Sequence, residues 1–318
     1  MKASLSEILV FYNVENLFRP EGKPAFKGHV PKSGLYNWNS YRYENKLFKI
    51  AHVIELMQEE LHQKPAIIGL AEVQGKEVLE DLVKKPVFEN YGIVHYESMD
   101  ERGVDVALLY DATKVEILHS EPISYFFEIP DTHPQAFDTT RDVLYCKLKL
   151  QNEVCHVYVV HLPSKREHDV NRPKREYILG DLNRRILELQ EKNNDSIFVM
   201  GDFNENPDAK ELINLTLDKD FNKILTNPFK ILYTNGIFST FHNKDGLVFD
   251  QIMVSKNIIN HELNLELQEA NVFQHPKLAS WERKFQGRPF RTYAGTRYLG
   301  GYSDHFPVYV RVNLKEAK

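Results

Sequence analysis

The sequence predicts an α/β fold in which two mixed β-sheets pack against each other and helices cover their outer faces. Short apolar runs rich in Val, Ile, Tyr and Phe recur along the chain and have the length and composition of strands. Two other stretches repeat apolar residues at helical spacing. Some strand runs are joined as hairpins and others through helices, and there are more of them than a single doubly wound sheet usually needs. Two packed sheets are therefore expected.

The predicted elements follow one another without a break. The strand runs are, in chain order, EILVFYN, PAIIGLAEV, YGIVHYE, VDVALLY, a hairpin at 143–162, DSIFVMGDFN, VFDQIMVS and HFPVYVRVNL. The helical repeats are carried by Leu47, Ile50, Ile54, Met57 and Leu61, and by Ile178, Leu182, Ile186 and Leu189. Residues 19–40 and 270–303 lack a regular period, and long loops of this kind are more often functional rims than filler. No repeat or polar linker divides the chain, so one domain spanning residues 1–318 is expected.

Composition excludes strong attraction to polyanions over the whole surface. The chain has 40 Lys and Arg against 45 Asp and Glu, a net charge of −5, so an anionic ligand must be bound locally. No run of 18 apolar residues occurs and the first residues lack an apolar core of signal-peptide length, so we expect a cytoplasmic protein without stable membrane association. A chain trimmed of a secretory leader would give the same pattern. Cys146 and Cys155 fall at non-facing positions of the predicted hairpin and are expected to be free thiols.

Polar side chains stand at the ends of at least five predicted strands. In α/β folds such ends converge on one face, where ligands bind. Each residue also has a simpler interpretation, since a lone Asn or Asp after a strand is usually a turn residue and His161 could be a core histidine. The set as a whole favours a site, and its members are Asn13, Glu15, Glu72, His161, Asp202, Asn204, Asp304 and His305.

Five ordered motifs resemble those of the endonuclease/exonuclease/phosphatase superfamily, whose fold is similar to that of DNase I. They are FYNVENL, LAEVQ, VVHLPS, GDFNENP and SDHFPV, and they extend from Asn13 to Val308. The resemblance implies a four-layer α-β-β-α sandwich of two packed mixed sheets flanked by helices. It also implies cleavage of phosphate esters by divalent-metal-assisted attack of water. Members include nucleases, inositol polyphosphate phosphatases, sphingomyelinases and deadenylases. The fold therefore indicates which type of bond is cleaved but not which substrate carries it.

The resemblance implies a metal site and a water-activating group. Glu72 matches the family's metal-binding glutamate and Asn13 the asparagine beside it, and oxygen ligands suit Mg²⁺, with Mn²⁺ as a substitute. Asp304 is a further candidate for metal contact. Asp202 matches the aspartate that orients or deprotonates the attacking water, and Asn204 is placed to donate its amide to a phosphoryl oxygen.

Two histidines are implied next to the scissile phosphate. His305 matches the one that is hydrogen-bonded to a carboxylate, and Asp250 matches the aspartate that pairs with it, although Asp250 could instead be a buried acid bonded to backbone amides. His161 matches the histidine that stabilises phosphoryl charge or protonates the leaving group. Abasic-site endonucleases generally have another residue at this position, so His161 argues against a close relation to them. Glu15 is a candidate for a supporting position near the metal.

Basic residues outside the motifs are the candidates for substrate binding. Arg102 and Arg141 stand at the starts of strands, where they could reach phosphate or could pair with acids at the sheet edge. Residues 165–185 carry a net charge of +3, but their second half has the pattern of an amphipathic helix. Residues 283–298 contain five basic residues and no acids, interleaved with aromatic rings, as suits nucleic acid. The substrate-binding candidates in this last stretch are Arg291, Arg297 and Tyr298.

Three functions are therefore considered. The first is a Mg²⁺-dependent phosphodiesterase, an endonuclease-like hydrolase acting on nucleic acid. The second is a phosphatase or phosphodiesterase of an inositol phosphate or another small or lipid-derived phosphate ester. The third is a non-catalytic binding scaffold of the same fold, which would be expected to have lost metal or histidine positions that are all present here.

Overall fold

Two six-stranded mixed sheets pack face to face between helices in a computed structural model of the chain. The structure describes residues 5–20, 35–100, 102–128, 137–165, 169–260 and 264–314. The middle of the predicted loop at 19–40 and residues 166–168 of the basic stretch lie outside these ranges. The α-β-β-α sandwich expected from the sequence is confirmed.

The described residues form eighteen strands and six α-helices. The strands are β1 (Leu5–Leu17), β2 (Ile67–Val73), β3 (Tyr91–His95), β4 (Asp105–Asp111), β5 (Val115–Ile123), β6 (Phe126–Glu128), β7 (Phe137–Thr139), β8 (Val143–Leu150), β9 (Glu153–His161), β10 (Ser196–Asp202), β11 (Leu225–Thr226), β12 (Thr240–His242), β13 (Asp245–Leu247), β14 (Asp250–Ser255), β15 (Leu265–Val272), β16 (Tyr293–Ala294), β17 (Arg297–Tyr298) and β18 (Val308–Leu314). The helices are α1 (Ser40–Leu61), α2 (Gly75–Val83), α3 (Arg172–Lys192), α4 (Lys210–Leu215), α5 (Phe229–Thr234) and α6 (Lys256–Ile259).

The two large sheets share one pattern of strand directions. The first has the order β15-β18-β1-β2-β4-β3 and the second the order β11-β14-β10-β9-β8-β5. In each sheet the central pair is parallel, β1 with β2 and β10 with β9, and every other neighbour is antiparallel. The parallel strands are buried on both faces, as sheets covered by helices and by a second sheet require. The carboxyl ends of the four central strands therefore lie at one edge of the sandwich, midway across the width of the sheets.

The predicted amphipathic helices cover the outer faces. Helix α1 begins at the cap residue Asn39, whose side chain accepts from Arg42 N at 3.0 Å, and it buries its apolar stripe against the first sheet. Helix α3 buries Ile178, Leu182 and Ile186 against the second sheet. A larger apolar cluster fills the space between the sheets. Among the described residues, no helix is long and apolar enough to cross a membrane.

The two cysteines are free, as predicted. In the β8–β9 hairpin Cys146 faces Val157, whereas Cys155 faces Leu148, so the two thiols are not opposite each other. Both are buried, and burial raises the pKa of the Cys146 thiol to about 12. Neither thiol therefore has the thiolate character that catalysis by cysteine requires.

Gly201 permits the close approach of β9 and β10 immediately before Asp202. A Cβ at this position would lie 2.1 Å from the backbone oxygen of Val160. We expect Gly201→Ala to destabilise the protein by about 1–3 kcal/mol because the parallel strands must separate. Gly180 in α3 is the matched control, since a Cβ there meets no atom within 4 Å and Ala should stabilise the helix by up to about 1 kcal/mol. Denaturant unfolding of both variants checks the pair, and equal effects would contradict it.

Candidate active site

Polar residues from five strands and from the segment before a sixth meet at one edge of the sandwich. They stand near the carboxyl ends of the two central parallel pairs, at the first residue of β14 and just before the first residue of β18. Because β14 and β18 run against β10 and β1, their beginnings lie at the same edge as the ends of the parallel pairs. The residues brought together are Asn13, Glu72, His161, Asp202, Asp250 and His305.

The ends of β1 and β2 are irregular in a way that directs side chains into the site. Both strands shift register there against their neighbours, and Glu15 and Glu72 adopt φ angles of 52° and 66°. These angles lie in the left-handed region that residues other than glycine rarely occupy, and bulges of this kind reorient side chains beside active sites. The Asn16 amide then donates to Glu72 Oε2 at 3.0 Å and holds that carboxylate in place.

A buried hydrogen bond joins the two sheets within the site. Asn13 Nδ2 donates to Asp202 Oδ2 at 3.0 Å, and the backbone amide of Asn204 donates to Asp202 Oδ1 at 2.9 Å. The Asn13 carbonyl oxygen Oδ1 accepts from Glu15 N at 3.0 Å. Asn204 lines the site, but its Nδ2 donates to the Leu162 carbonyl at 2.9 Å, so the side chain is held by the backbone and not left free for a phosphoryl oxygen.

His305 and Asp250 form the pair that the sequence indicated. His305 Nδ1 lies 2.7 Å from Asp250 Oδ2, which also accepts from Ser239 Oγ at 2.6 Å, so the alternative of a carboxylate bonded to backbone amides is not what is found. Burial disfavours the charged imidazolium, but the carboxylates of Asp250, Asp304 and Asp202 outweigh this and raise the pKa of His305 well above its ordinary value. His305 is therefore a cation at neutral pH.

Asp202 and His161 are shifted by the same burial toward their neutral forms. Burial, followed by the charge of Asp250, raises the pKa of Asp202 to about 6. Burial, followed by the positive charges of Arg141 and Arg102, lowers the pKa of His161 well below its ordinary value. His161 Nε2 lies 3.7 Å from Asp202 Oδ2. At neutral pH the site thus holds an ionised Asp202 beside a neutral His161.

Two arginines supply the positive charge that the neutral His161 does not. Arg141 is buried, donates from Nε to the His161 carbonyl at 3.1 Å and pairs through Nη1 with Asp100 at 3.2 Å. Arg102 donates from Nη2 to Asn16 Oδ1 at 3.0 Å. Both guanidinium groups also line the cavity, so the sheet-edge pairing and the phosphate contact considered from the sequence are compatible.

Asp304 lies in an ion pair. Its Oδ2 accepts from Arg291 Nη2 at 2.7 Å, and its Oδ1 lies 3.8 Å from His305 Nε2. Burial acts to raise the pKa of Asp304, but His305 and Arg291 outweigh it and hold that pKa below its ordinary value. Both oxygens thus face cations, which favours an ion pair over the metal contact that the sequence suggested for Asp304.

The oxygen donors at the floor of the site fit a hard divalent cation. Glu72 Oε1 and Asp202 Oδ2 lie 3.9 and 3.7 Å from one atom, His161 Nε2, so the two carboxylates approach a common point. Asn13 bonds Asp202 directly. An all-oxygen set of two carboxylates and an amide suits Mg²⁺ or Mn²⁺ and not zinc.

A second grouping of possible ligands is a poorer metal site. Among the described residues, Asp202, Asp250 and His305 offer ligand atoms that lie within 4.8 Å of one another. His305 Nδ1 and Asp250 Oδ2, however, already share a hydrogen bond of 2.7 Å. The proton between them occupies the positions that a metal would need, so this group is better described as a charged histidine with its carboxylates.

These residues surround an open cavity of about 1070 Å³. Asn13 and Asp250 are buried behind its walls, whereas Arg297 and Tyr298 do not contribute to them. The Tyr298 ring instead packs under Arg42, whose Cζ is 4.5 Å from the ring centroid, and its hydroxyl accepts from Asn45. The predicted residues that line the cavity are Glu15, Glu72, Arg102, Arg141, His161, Asp202, Asn204, Arg291, Asp304 and His305.

The comparisons with known proteins agree with this arrangement. The model of the Endonuclease/Exonuclease/phosphatase family matches residues 8–314 of the chain. The chain belongs to this family. It is therefore a phosphoric ester hydrolase, and enzymes of the family generally depend on a divalent metal. No sequence among the curated proteins matches it significantly.

Solved structures of the family have the same fold at low sequence identity. A family protein from Bacteroides thetaiotaomicron is 16% identical, covers 99% of this chain and 97% of its own, and superimposes with a TM-score of 0.61. A mannosyl-6-phosphatase of the same organism is 16% identical, with coverages of 96% and 99% and a TM-score of 0.60. TDP2 from D. rerio, solved with a single-strand DNA product, is 14% identical, with coverages of 97% and 99% and a TM-score of 0.58.

Some cavity residues of this family member were not anticipated from its sequence. Ser164 and Asn206 belong to the motifs VVHLPS and GDFNENP and could have been found by extending the same reasoning to every polar position of those motifs. Phe249 directly precedes Asp250 and was assigned only to the strand. His242 lies on the short strand β12, and no motif or apolar pattern marks that strand in the sequence.

The Glu15 carboxylate supports the cavity wall. Its carboxylate accepts the backbone amides of Thr292 and Tyr293 at 2.5 and 3.3 Å. The buried Lys46 of α1 donates to Thr292 Oγ1 at 2.6 Å and to the Tyr302 carbonyl at 2.7 Å. Burial raises the pKa of Glu15 to about 7 and lowers that of Lys46 to about 8. The loop that carries Arg291 is thus held in place by the buried side chains of Glu15 and Lys46.

Replacing Asp250 by Asn tests whether it keeps His305 charged. Without this carboxylate the pKa of His305 should fall, so the imidazolium is lost at lower pH and the alkaline limb of the pH–rate profile moves to lower pH. The rate at neutral pH should fall by about 10²- to 10⁴-fold, the usual contribution of a positioned acid or base. Ser239→Ala is the control, because it removes the other partner of Asp250 Oδ2 and keeps the carboxylate. An unchanged alkaline limb in Asp250→Asn would contradict the assignment.

Proposed function

We propose that the protein is a Mg²⁺-dependent phosphodiesterase that cleaves nucleic acid in the manner of an endonuclease. The observation that carries the proposal is the convergence of an ionised Asp202, a charged His305 and two arginines on one open cavity. Hydrolysis of a phosphodiester needs an activated water, neutralised phosphoryl oxygens and help for the leaving oxygen. The residues of the cavity provide a group for each of these tasks.

Glu72 and Asn13 would hold the metal ion, with Asp202 next to them. When bound, Mg²⁺ supplies Lewis-acid polarisation of a phosphoryl oxygen. The oxygen-only donors support Mg²⁺ as the ion, with Mn²⁺ as a substitute. The backbone bond from Asn16 to Glu72 keeps that carboxylate aimed at the cavity when the metal is absent.

Asp202 acts as the base. Above a pH of about 6 its carboxylate is ionised, and the hydrogen bonds from Asn13 and from the Asn204 amide fix its orientation toward an attacking water. His305 carries a proton and a positive charge, which stabilise the charge that develops on the phosphate and on the leaving oxygen. Arg141 and Arg102, which line the cavity beside His161, neutralise the phosphoryl oxygens.

The volume of the cavity favours a polymeric substrate. A cavity of about 1070 Å³ slightly exceeds the usual range for small-molecule pockets, roughly 300–1,000 Å³. TDP2, one of the similar structures, was solved with a single-strand DNA product. At 14% identity that likeness concerns the fold, and it supports nucleic acid only as a ligand that the shared architecture can accept.

A phosphatase acting on a small phosphate ester is the second candidate. A separate polar pocket of about 220 Å³ adjoins the cavity and shares Arg102 and Arg141 with it. Its walls also include Thr139, Asn171 and Lys174. Asp100 and Asp138 line it too and pair with Arg141 and Lys174, so the pocket offers charged and polar groups to a second polar group of a small substrate. One of the similar structures is a mannosyl-6-phosphatase.

The decisive experiment compares substrates in the presence of Mg²⁺ or Mn²⁺ and in the presence of EDTA. We expect metal-dependent nicking of plasmid DNA, and we expect Glu72→Gln and His305→Ala each to lower the rate by at least about 100-fold. Phe221→Ala is the control variant, because this ring is 80% exposed and lies outside the cavity.

The other substrates are RNA, an inositol polyphosphate, sphingomyelin and chromogenic mono- and diesters. Activity confined to monoesters would reject the nuclease and support the phosphatase. Absence of activity on every substrate, together with absence of Mg²⁺ binding, would support the non-catalytic scaffold.

A further inference from the structure

A second pocket, which we call the side pocket, opens next to the catalytic cavity. Its volume is about 280 Å³, and its walls come mainly from the loop between β15 and β18 and from β12. Phe241, Phe285 and Phe290 form its apolar surface, and the side chains of Arg288 and Arg297 lie at its walls. Pockets that enclose drug-sized ligands measure roughly 300–1,000 Å³, so the side pocket is suited to one ring system and not to a larger molecule.

The side pocket is separated from the catalytic cavity by a single ion pair. Arg291 and Asp304 line both spaces, and their side chains are joined at 2.7 Å. On the catalytic side, Asp304 Oδ1 is 3.8 Å from His305 Nε2. Only the Asp304 side chain therefore lies between a group in the side pocket and the charged His305. The two spaces are close enough to hold parts of one substrate.

The aromatic residues of this loop divide into two groups with different roles. Tyr293 and Tyr298 pack edge to face with a centroid separation of 5.3 Å, and Arg42 covers both rings, so they hold the loop against α1. Phe285 remains 39% exposed and faces the side pocket. Arg288 Cζ lies 5.2 Å from the centroid of Phe241 and 5.7 Å from that of Phe285, so the pocket presents a guanidinium between two rings.

The walls of the side pocket are fixed by backbone hydrogen bonds. Ser280 N donates to the Arg288 carbonyl at 2.7 Å, and Phe290 N donates to the Leu278 carbonyl at 2.8 Å. A Cβ at Gly301 would lie 2.1 Å from the Phe290 carbonyl oxygen, so the chain before His305 presses directly on this wall. The pocket is thus formed before any ligand enters, which lowers the entropic cost of binding.

The charge of the side pocket suits one part of an anionic substrate. Arg291 is neutralised by Asp304. Glu282 also lines the pocket, but no carboxylate of the described residues lies within ion-pairing distance of Arg288 or Arg297. By contrast, every described Lys and Arg in the other basic stretch, 165–185, is ion-paired with an acid. The lining of the side pocket therefore has a net positive charge, with Arg288, Arg291 and Arg297 against Glu282 and Asp304.

We propose that the side pocket binds a nucleobase of the substrate, with its ring against Phe285 and Arg288, while the attached phosphate lies in the catalytic cavity. A nucleotide is the ligand that joins a planar ring to a phosphate through one sugar, and aromatic and guanidinium planes are the groups on which bases stack. The proposal deepens the nuclease function proposed above and rests on it. It makes Phe285 a residue that favours substrates with bases over other phosphate esters.

Binding measured without metal tests the side pocket independently of catalysis. In EDTA, NMR titration should show that the wild-type protein binds adenosine 5′-monophosphate about tenfold more tightly than ribose 5-phosphate, a ratio typical of one stacked base. In Phe285→Ala the ratio should fall close to one, and in Phe285→Trp it should be retained. Phe221→Ala is the matched control, an exposed ring outside both pockets whose loss should leave the ratio intact. Equal affinities in the wild type, or an undiminished ratio in Phe285→Ala, would overturn the proposal.

Hydrolysis separates this proposal from the proposed function. The substrates are a dinucleoside monophosphate and its counterpart without bases, with Mg²⁺, and the measured quantity is the ratio of their kcat/KM values. We expect the wild type to prefer the base-bearing diester by about tenfold, through KM, and Phe285→Ala to lose the preference. Cleavage of both diesters with equal kcat/KM would keep the phosphodiesterase and reject the base pocket. Base-dependent binding without cleavage of any diester would keep the pocket and reject the phosphodiesterase.

Discussion

The hydrogen bond from Asn13 to Asp202 is the contact on which the site depends. It joins residues 189 positions apart and crosses from the central strand of one sheet to the central strand of the other. Each sheet alone provides only part of the chemistry, since the first carries the proposed metal ligand Glu72 and the second carries Asp202 and His161. The two sheets have to pack face to face, with the carboxyl ends of both parallel pairs at the same edge, before these groups can act on one phosphate.

The second constraint is the cost of burying so many ionisable groups at one edge. An isolated buried charge is very unfavourable, so each group must be paired or must become neutral. Asp250 and Asp304 surround His305 and keep it charged, whereas His161, placed near Arg141, is driven to the neutral form. The two histidines thus differ in charge at neutral pH because their neighbours differ, although the sequence presents both simply as histidines in polar motifs.

Counts of charged residues in the sequence are a poor guide to the basic surfaces. Residues 165–185 and 283–298 both carry an excess of positive charge, but helix α3 pairs its arginines with its own acids and with acids of nearby loops. The second stretch also divides, since Tyr298 packs under Arg42 and only part of the stretch faces the two pockets. Such pairing depends on distances between residues far apart in the chain, and composition does not contain those distances.

The sequence by itself determined the fold class, the family and most of the residues at the site, because strand periodicity and ordered polar strand ends are local properties of the chain. The packing of the two sheets set the hydrogen-bond partners and the charge states of those residues. Asp250 binds His305 and not backbone amides, Asp304 pairs with Arg291, and the Glu15 carboxylate binds the amides of the wall loop. These outcomes depend on burial and on contacts across the sandwich, which arise only when the two sheets meet.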